Sequence, residues 1–139
     1  MIILDTNIVS ETFRPDPSAA VIVWLDAQMW QKLAITSITA AELRAGVAQM
    51  PDGRRRQATS MMVESIIEHD FGGAVLSFDH RASRYYGEIR AARRSGGRPI
   101  ETADAQIAAI AMSYDAELAT RNTKDFADLG LRLINPWEV

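Results

Sequence analysis

Cysteine is absent from the 139 residues, which excludes disulfides, thiolate metal sites and a cysteine nucleophile. Histidine occurs only twice, as His69 and His80. Neither lies in a strand-terminal motif, so both are expected at the surface or at helix ends, and a zinc site has too few ligands. Any metal would be held by oxygen, a donor set that favours Mg2+ or Mn2+. Long apolar runs are also missing. The longest, Ala19 to Leu25, is far below the roughly 18 residues that a membrane span needs. No basic stretch precedes an apolar one at the start of the chain. A cytoplasmic protein without a membrane partner is expected. Repeats, linkers and low-complexity segments are lacking too, and the length suits one domain over residues 1–139.

The net charge of −3 argues against a general nucleic-acid coat protein. Locally the balance differs. Arg54, Arg55 and Arg56 follow Pro51-Asp52-Gly53, and Arg90, Arg93, Arg94 and Arg98 gather near Gly96-Gly97. Such clusters can neutralise phosphates or can simply be solvated helix faces, and the sequence leaves both readings open.

With 47% apolar and 24% charged residues, the chain has the composition of a globular protein with a real core. Five short apolar segments predict strands: Ile2 to Leu4, Leu33 to Thr36, Ala74 to Phe78, Glu117 to Thr120, and Arg132 to Ile134. Between them lie helical patterns over Pro17 to Met29, Thr39 to Met50, Arg54 to His69, Asp79 to Ser95 and Thr102 to Tyr114. Thr39-Ala40-Ala41-Glu42 has the spacing of a capping box, and Gly96-Gly97 that of a helix C-terminal stop. Strands alternating with helices imply a parallel α/β sheet.

Three acidic residues stand where the chain passes between strand and helix. Asp5 ends the first strand and is followed by Thr6-Asn7, Glu42 lies near the start of the helix after the second strand, and Asp104 opens the alanine-rich helix before the fourth. In an open parallel sheet ligands bind at the carboxyl ends of the strands. If the fourth strand lies beside the first, all three carboxylates face one edge, and a divalent cation would relieve their repulsion. Each has a structural alternative: a turn residue for Asp5, a capping-box member for Glu42, a helix-dipole partner for Asp104. Arg44, about 200° round the helix from Glu42, is expected to serve structure or a partner surface.

The run Leu4-Asp5-Thr6-Asn7, then Ile38 to Gly46, Thr102-Ala103-Asp104-Ala105-Gln106-Ile107-Ala108-Ala109, Ala119 to Phe126 and Asn135-Pro136-Trp137 resembles the PIN domain, above all the VapC and FitB type of toxin. The resemblance spans Met1 to Trp137. It implies a three-layer α/β/α sandwich around a parallel sheet of order 3-2-1-4-5, and a Mg2+-dependent endoribonuclease, with Mn2+ as a substitute, that hydrolyses RNA with a metal-activated water. It carries Asp5, Glu42 and Asp104 over as the catalytic and metal-binding positions, with Thr6 as companion of Asp5 and Asn122 where many members have a fourth acid. Asn122 lowers the negative charge of the site by one. Asp125 is the possible replacement, although Asn122-Thr123-Lys124-Asp125 also reads as a helix cap, which would take Asp125 out of the site. Arg14 is the candidate for holding RNA phosphate.

The resemblance also implies a small DNA-binding antitoxin as partner, covering the site. A homodimer is expected from the apolar and aromatic residues of the Arg54 to His69 and Asp79 to Ser95 helices, including Met61, Met62, Tyr85 and Tyr86. Two other functions compete. One keeps the fold but makes the chain mainly an antitoxin-binding component with weak or no nuclease activity, because of Asn122. The other makes Asp5 a covalent phosphoryl acceptor; it is disfavoured because Asn7 stands where such sites need a second Asp.

Overall fold

The computed structural model describes all residues from Met1 to Val139. Five parallel strands, β1 (Ile2–Leu4), β2 (Leu33–Thr36), β3 (Val75–Leu76), β4 (Glu117–Ala119) and β5 (Leu133–Ile134), form one sheet of order β3-β2-β1-β4-β5. This is the order that the PIN-domain resemblance implies. The first strand is central, pairing Ile3 with Ala34 of β2 on one side and with Leu118 of β4 on the other. β1 and β2 are buried at every position, as strands covered on both faces must be.

Alternation along β1 divides the core. Ile3 points to one face, where it meets Ile89, Ile107, Ile110 and Phe126; Ile2 and Leu4 point to the other, with Ile8, Val21, Leu43 and Ile67. The helices on the first face are α5 (His80–Ser95) and α6 (Thr102–Ser113). Ala105, Ala108, Ala109 and Ala111 of α6 are fully buried, and their small side chains let α5 and α6 pack closely. The opposite face carries α1 (Thr6–Glu11), α2 (Ala19–Asp26), α3 (Ser37–Ala48) and α4 (Arg54–Glu64).

Several boundaries differ from the sequence expectation. β3 has two residues rather than five, as befits an edge strand held on one side only. α1 is an additional helix, and α2 starts at Ala19 rather than Pro17 because Ser18 N–H is held by the buried Glu11 carboxylate at 2.8 Å. The helix after β2 does not start at Thr39. Thr36 caps it, its hydroxyl accepting from Thr39 N–H at 3.1 Å. α4 gives way to a π-helical turn over Ser65–Asp70. The stop at Gly96-Gly97 is as expected: Gly97 has φ 71°, and Arg98 N–H and Gly97 N–H close back on Arg93 O and Arg94 O, the paired bonds of a Schellman end.

Most arginines of the two clusters serve structure. Arg93 is buried, and donates to the carbonyls of Arg98, Asp125 and Ala127. Arg90 donates to Ile100 O, Arg98 pairs with Asp128, and Arg56 pairs with Asp52. Arg44 bridges α3 to Glu64 and Glu68, in keeping with a structural role. His69 and His80 are exposed.

Candidate active site

Asp5 begins the site because β1 ends there. Its N–H still bonds Ala119 O of β4 at 2.9 Å, and its side chain turns to cap α1. Oδ1 accepts from Thr6 N–H at 2.8 Å, whereas Oδ2 accepts from the Thr120 hydroxyl at 2.7 Å and from Asn7 Nδ2 at 3.1 Å. Burial raises the Asp5 pKa and outweighs these bonds, which favour the charged form; the nearby Glu42 charge raises it further.

Glu42 is exposed on the second turn of α3 and takes no part in a capping box. This corrects the capping alternative. The box spacing is also the spacing of neighbours along any helix face, and Thr36 already occupies the cap. Glu42 Oε1 accepts from the Thr6 hydroxyl at 2.7 Å, and Thr6 Oγ1 lies 3.0 Å from Thr39 Oγ1. Each hydroxyl has a single proton. Since Thr6 gives its own to Glu42, Thr39 must donate to Thr6, and the chain of hydroxyls orients Glu42 against the end of β1.

Asp104, half-buried in the first turn of α6, has its pKa pushed up to about 6. Burial is the main cause, followed by the charges of Asp5, Asp125, Glu42 and Glu101. The three acids expected at one edge therefore stand in one another's field, and β4 does lie beside β1. No cation lowers the pKa of Asp5 or Asp104.

Asn122 is exposed, and its side chain caps nothing. The segment after it, Thr123–Phe126, is a single 3-10 turn rather than a capped helix, which removes the capping reading of Asp125. That turn is fixed by Arg93 and by Arg98, which donates to Lys124 O, and it leaves Asp125 close enough to act on Asp104. Arg14 is mostly exposed and pairs with Glu11 at 3.4 Å. Thr120 is the residue the sequence reading passed over. It is fully buried, holds Asp5 Oδ2 and accepts from Asn122 N–H at 3.0 Å; a polar residue directly after an apolar strand was its only signal.

No three acidic side chains already close on a single point. The donor set nonetheless fits a hard divalent cation. All ligands on offer are oxygens, neighbouring carboxylates help to raise the pKa of Asp5 and of Asp104, and no arginine or lysine is among the causes that set either one.

An open parallel sheet with acidic side chains past the ends of its central strands defines an α/β protein with an acidic site. The chain belongs to the PIN-domain family, whose model matches residues 2–131. It is 46% identical to the plasmid stability protein StbB of Pseudomonas syringae pv. tomato and 44% identical to the VapC ribonuclease Y4jK of Sinorhizobium fredii, each over 99% of both chains. Among solved structures it matches FitAB bound to the IR36 DNA fragment with a TM-score of 0.95 at 36% identity, covering 100% of this chain and 97% of that one. Its structural neighbours are toxin–antitoxin complexes, some bound to DNA.

Proposed function

We propose that this chain is a divalent-metal-dependent endoribonuclease, the toxin of a toxin–antitoxin pair. The observation that supports the reading is that the half-buried Asp104 feels the charges of Asp5, Asp125 and Glu42, with no basic group among the causes that set its pKa. Asp5 and Asp104 would hold Mg2+ or Mn2+, with Glu42 and the free Asn122 amide at its border. Bound there, the cation supplies positive charge for phosphoryl oxygens and acidifies water. The residues of the chain do the remaining work. Thr120 and Asn7 fix the Asp5 carboxylate, and the Thr39–Thr6 hydroxyls aim Glu42 so that its second oxygen is free to orient a water and accept its proton.

The partner half of the reading is supported by the complexes among similar structures and by an apolar cleft between α1, α2 and the π turn. Leu4, Ile8, Leu25, Trp30, Ile66 and Phe71 line it, which suits an apolar segment of an antitoxin. No helix is long and apolar enough to cross a membrane. A homodimer is proposed on narrower grounds than the sequence suggested: Met61 and Met62 are exposed on α4, but Tyr85 and Tyr86 pack on the core.

Purified protein incubated with single-stranded RNA and Mg2+ or Mn2+ should yield discrete fragments, and EDTA should stop the cleavage. Cutting that persists unchanged in EDTA excludes the metal-dependent mechanism. Absence of cutting with either metal, alongside retained antitoxin binding, would favour a chain that mainly binds its partner. Glu42→Gln keeps an oxygen for the Thr6 hydroxyl but cannot take a proton. Cleavage should fall by about two orders of magnitude, the scale of one general base, with an unchanged melting temperature; full activity would remove Glu42 from the chemistry.

A further inference from the structure

Arg121 differs from most other arginines of this chain. It forms no ion pair, and its guanidinium donates no hydrogen bond. Instead the guanidinium lies over the Trp137 ring, 5.0 Å from its centroid, within the range of a cation–π contact. The ring is held in turn. Trp137 packs against the core on the α1 side of the sheet, its backbone N–H donates to Asn135 Oδ1 at 3.0 Å, and Pro136 beside it is buried. Stacking on such a platform immobilises a long side chain that would otherwise lose rotamer freedom on binding a ligand, and it leaves the N–H edge open.

The position is tied to the carboxylates. Arg121 follows Thr120, whose hydroxyl holds Asp5, and its own N–H bonds Asn7 Oδ1 at 3.3 Å while Asn7 Nδ2 bonds Asp5. Both Arg121 and Trp137 lie just past the ends of the neighbouring strands β4 and β5, at the sheet edge where Asp5 ends β1. Yet the Arg121 guanidinium makes neither a hydrogen bond nor an ion pair to Asp5 or Asp104. A fixed, unpaired cation beside an acidic site, spent on neither carboxylate, matches the needs of a polyanion that must approach that site. Arg14, by contrast, already has Glu11 as its partner.

We propose that Arg121, braced on Trp137, binds a phosphate of the substrate strand and positions the RNA at the Asp5 edge. The inference rests on the ribonuclease reading. Arg121 is exposed, so its substitution leaves the core untouched, whereas Trp137 is half-buried and its removal risks the fold.

The decisive experiment measures cleavage of a single-stranded RNA with Mg2+ by the wild type, Arg121→Ala, Arg121→Lys and Arg14→Ala across a salt series. Arg121→Ala should raise KM about tenfold, the scale of one charge-assisted contact, with a smaller change in kcat. The slope of log KM against log salt should flatten by about 0.7, the share of one phosphate on a single strand. Arg121→Lys should restore the salt slope, since it restores the charge, and Arg14→Ala should leave KM as it was. A wild-type KM and salt slope in Arg121→Ala would overturn the proposal, as would a KM effect found in Arg14→Ala alone. Failure of the wild type itself to cleave with either metal would instead remove the ribonuclease reading, and this proposal with it.

Discussion

Asp104→Asn should abolish RNA cleavage and, in the metal-free protein, raise the melting temperature at pH 7.5. The two effects have one cause. The carboxyl titrates at about 6 in the fold against an ordinary value of 3.8, because burial and the charges of Asp5, Asp125, Glu42 and Glu101 disfavour its ionised form. A raised folded-state pKa means that the fold binds the proton more tightly than the unfolded chain does. The stabilisation that follows is fully present below about pH 4, where both states are protonated, and is lost as the pH rises through 6. Asparagine never ionises. Its advantage over Asp104 should therefore be largest above pH 7 and should vanish near pH 4, which melting curves at the two pH values would show. Activity should drop by about two orders of magnitude or more, the scale on which single electrostatic groups act. A variant that melts lower than the wild type at pH 7.5 would make Asp104 a structural residue.

Asp5→Asn should be equally inactive but gain less stability. Oδ1 can still cap Thr6, whereas an amide in place of Oδ2 would face Asn7 Nδ2, another donor, and would require the Thr120 hydroxyl to turn and accept. The contrast between the two variants separates relief of repulsion from loss of hydrogen bonding.

Much of this site could be read from local sequence. An apolar run ending in Asp5-Thr6-Asn7 declares a buried strand with a polar end, and the alternation of strands and helices sets the parallel sheet that makes such an end a site. The PIN resemblance added the strand order, which apolar runs cannot supply. The rest depended on contacts between distant parts of the chain. Thr120 and Asp5 are neighbours only because β4 pairs with β1, and the Thr6–Glu42 bond exists only because α1 and α3 start at adjacent strand ends. α1 escaped notice because six residues with only two buried apolar side chains, Ile8 and Val9, give too short an apolar period. Arg93 was hidden for a different reason: within a basic run it reads as a surface residue, yet it lies under the 3-10 turn with its charge spread over three carbonyls.

Mg2+ or Mn2+ should reverse the instability that the carboxylates create. A ligand that binds only the folded state adds about 2.7 kcal/mol at one hundred times its dissociation constant, which for a chain of this size is a rise in melting temperature of about 10 °C. EDTA should cancel it. Asp104→Asn, already relieved of the repulsion, should start from a higher melting temperature and gain little from the metal. Asn122→Asp should do the opposite: it adds a fifth charge to those acting on Asp104, so the metal-free protein should melt lower and the metal-induced rise should be larger. That opposed pair of shifts is what a cation site predicts and a merely acidic surface does not, because an added surface charge at Asn122 would leave the response to metal unchanged. Equal metal-induced rises in the wild type, Asp104→Asn and Asn122→Asp would place the bound cation away from these carboxylates.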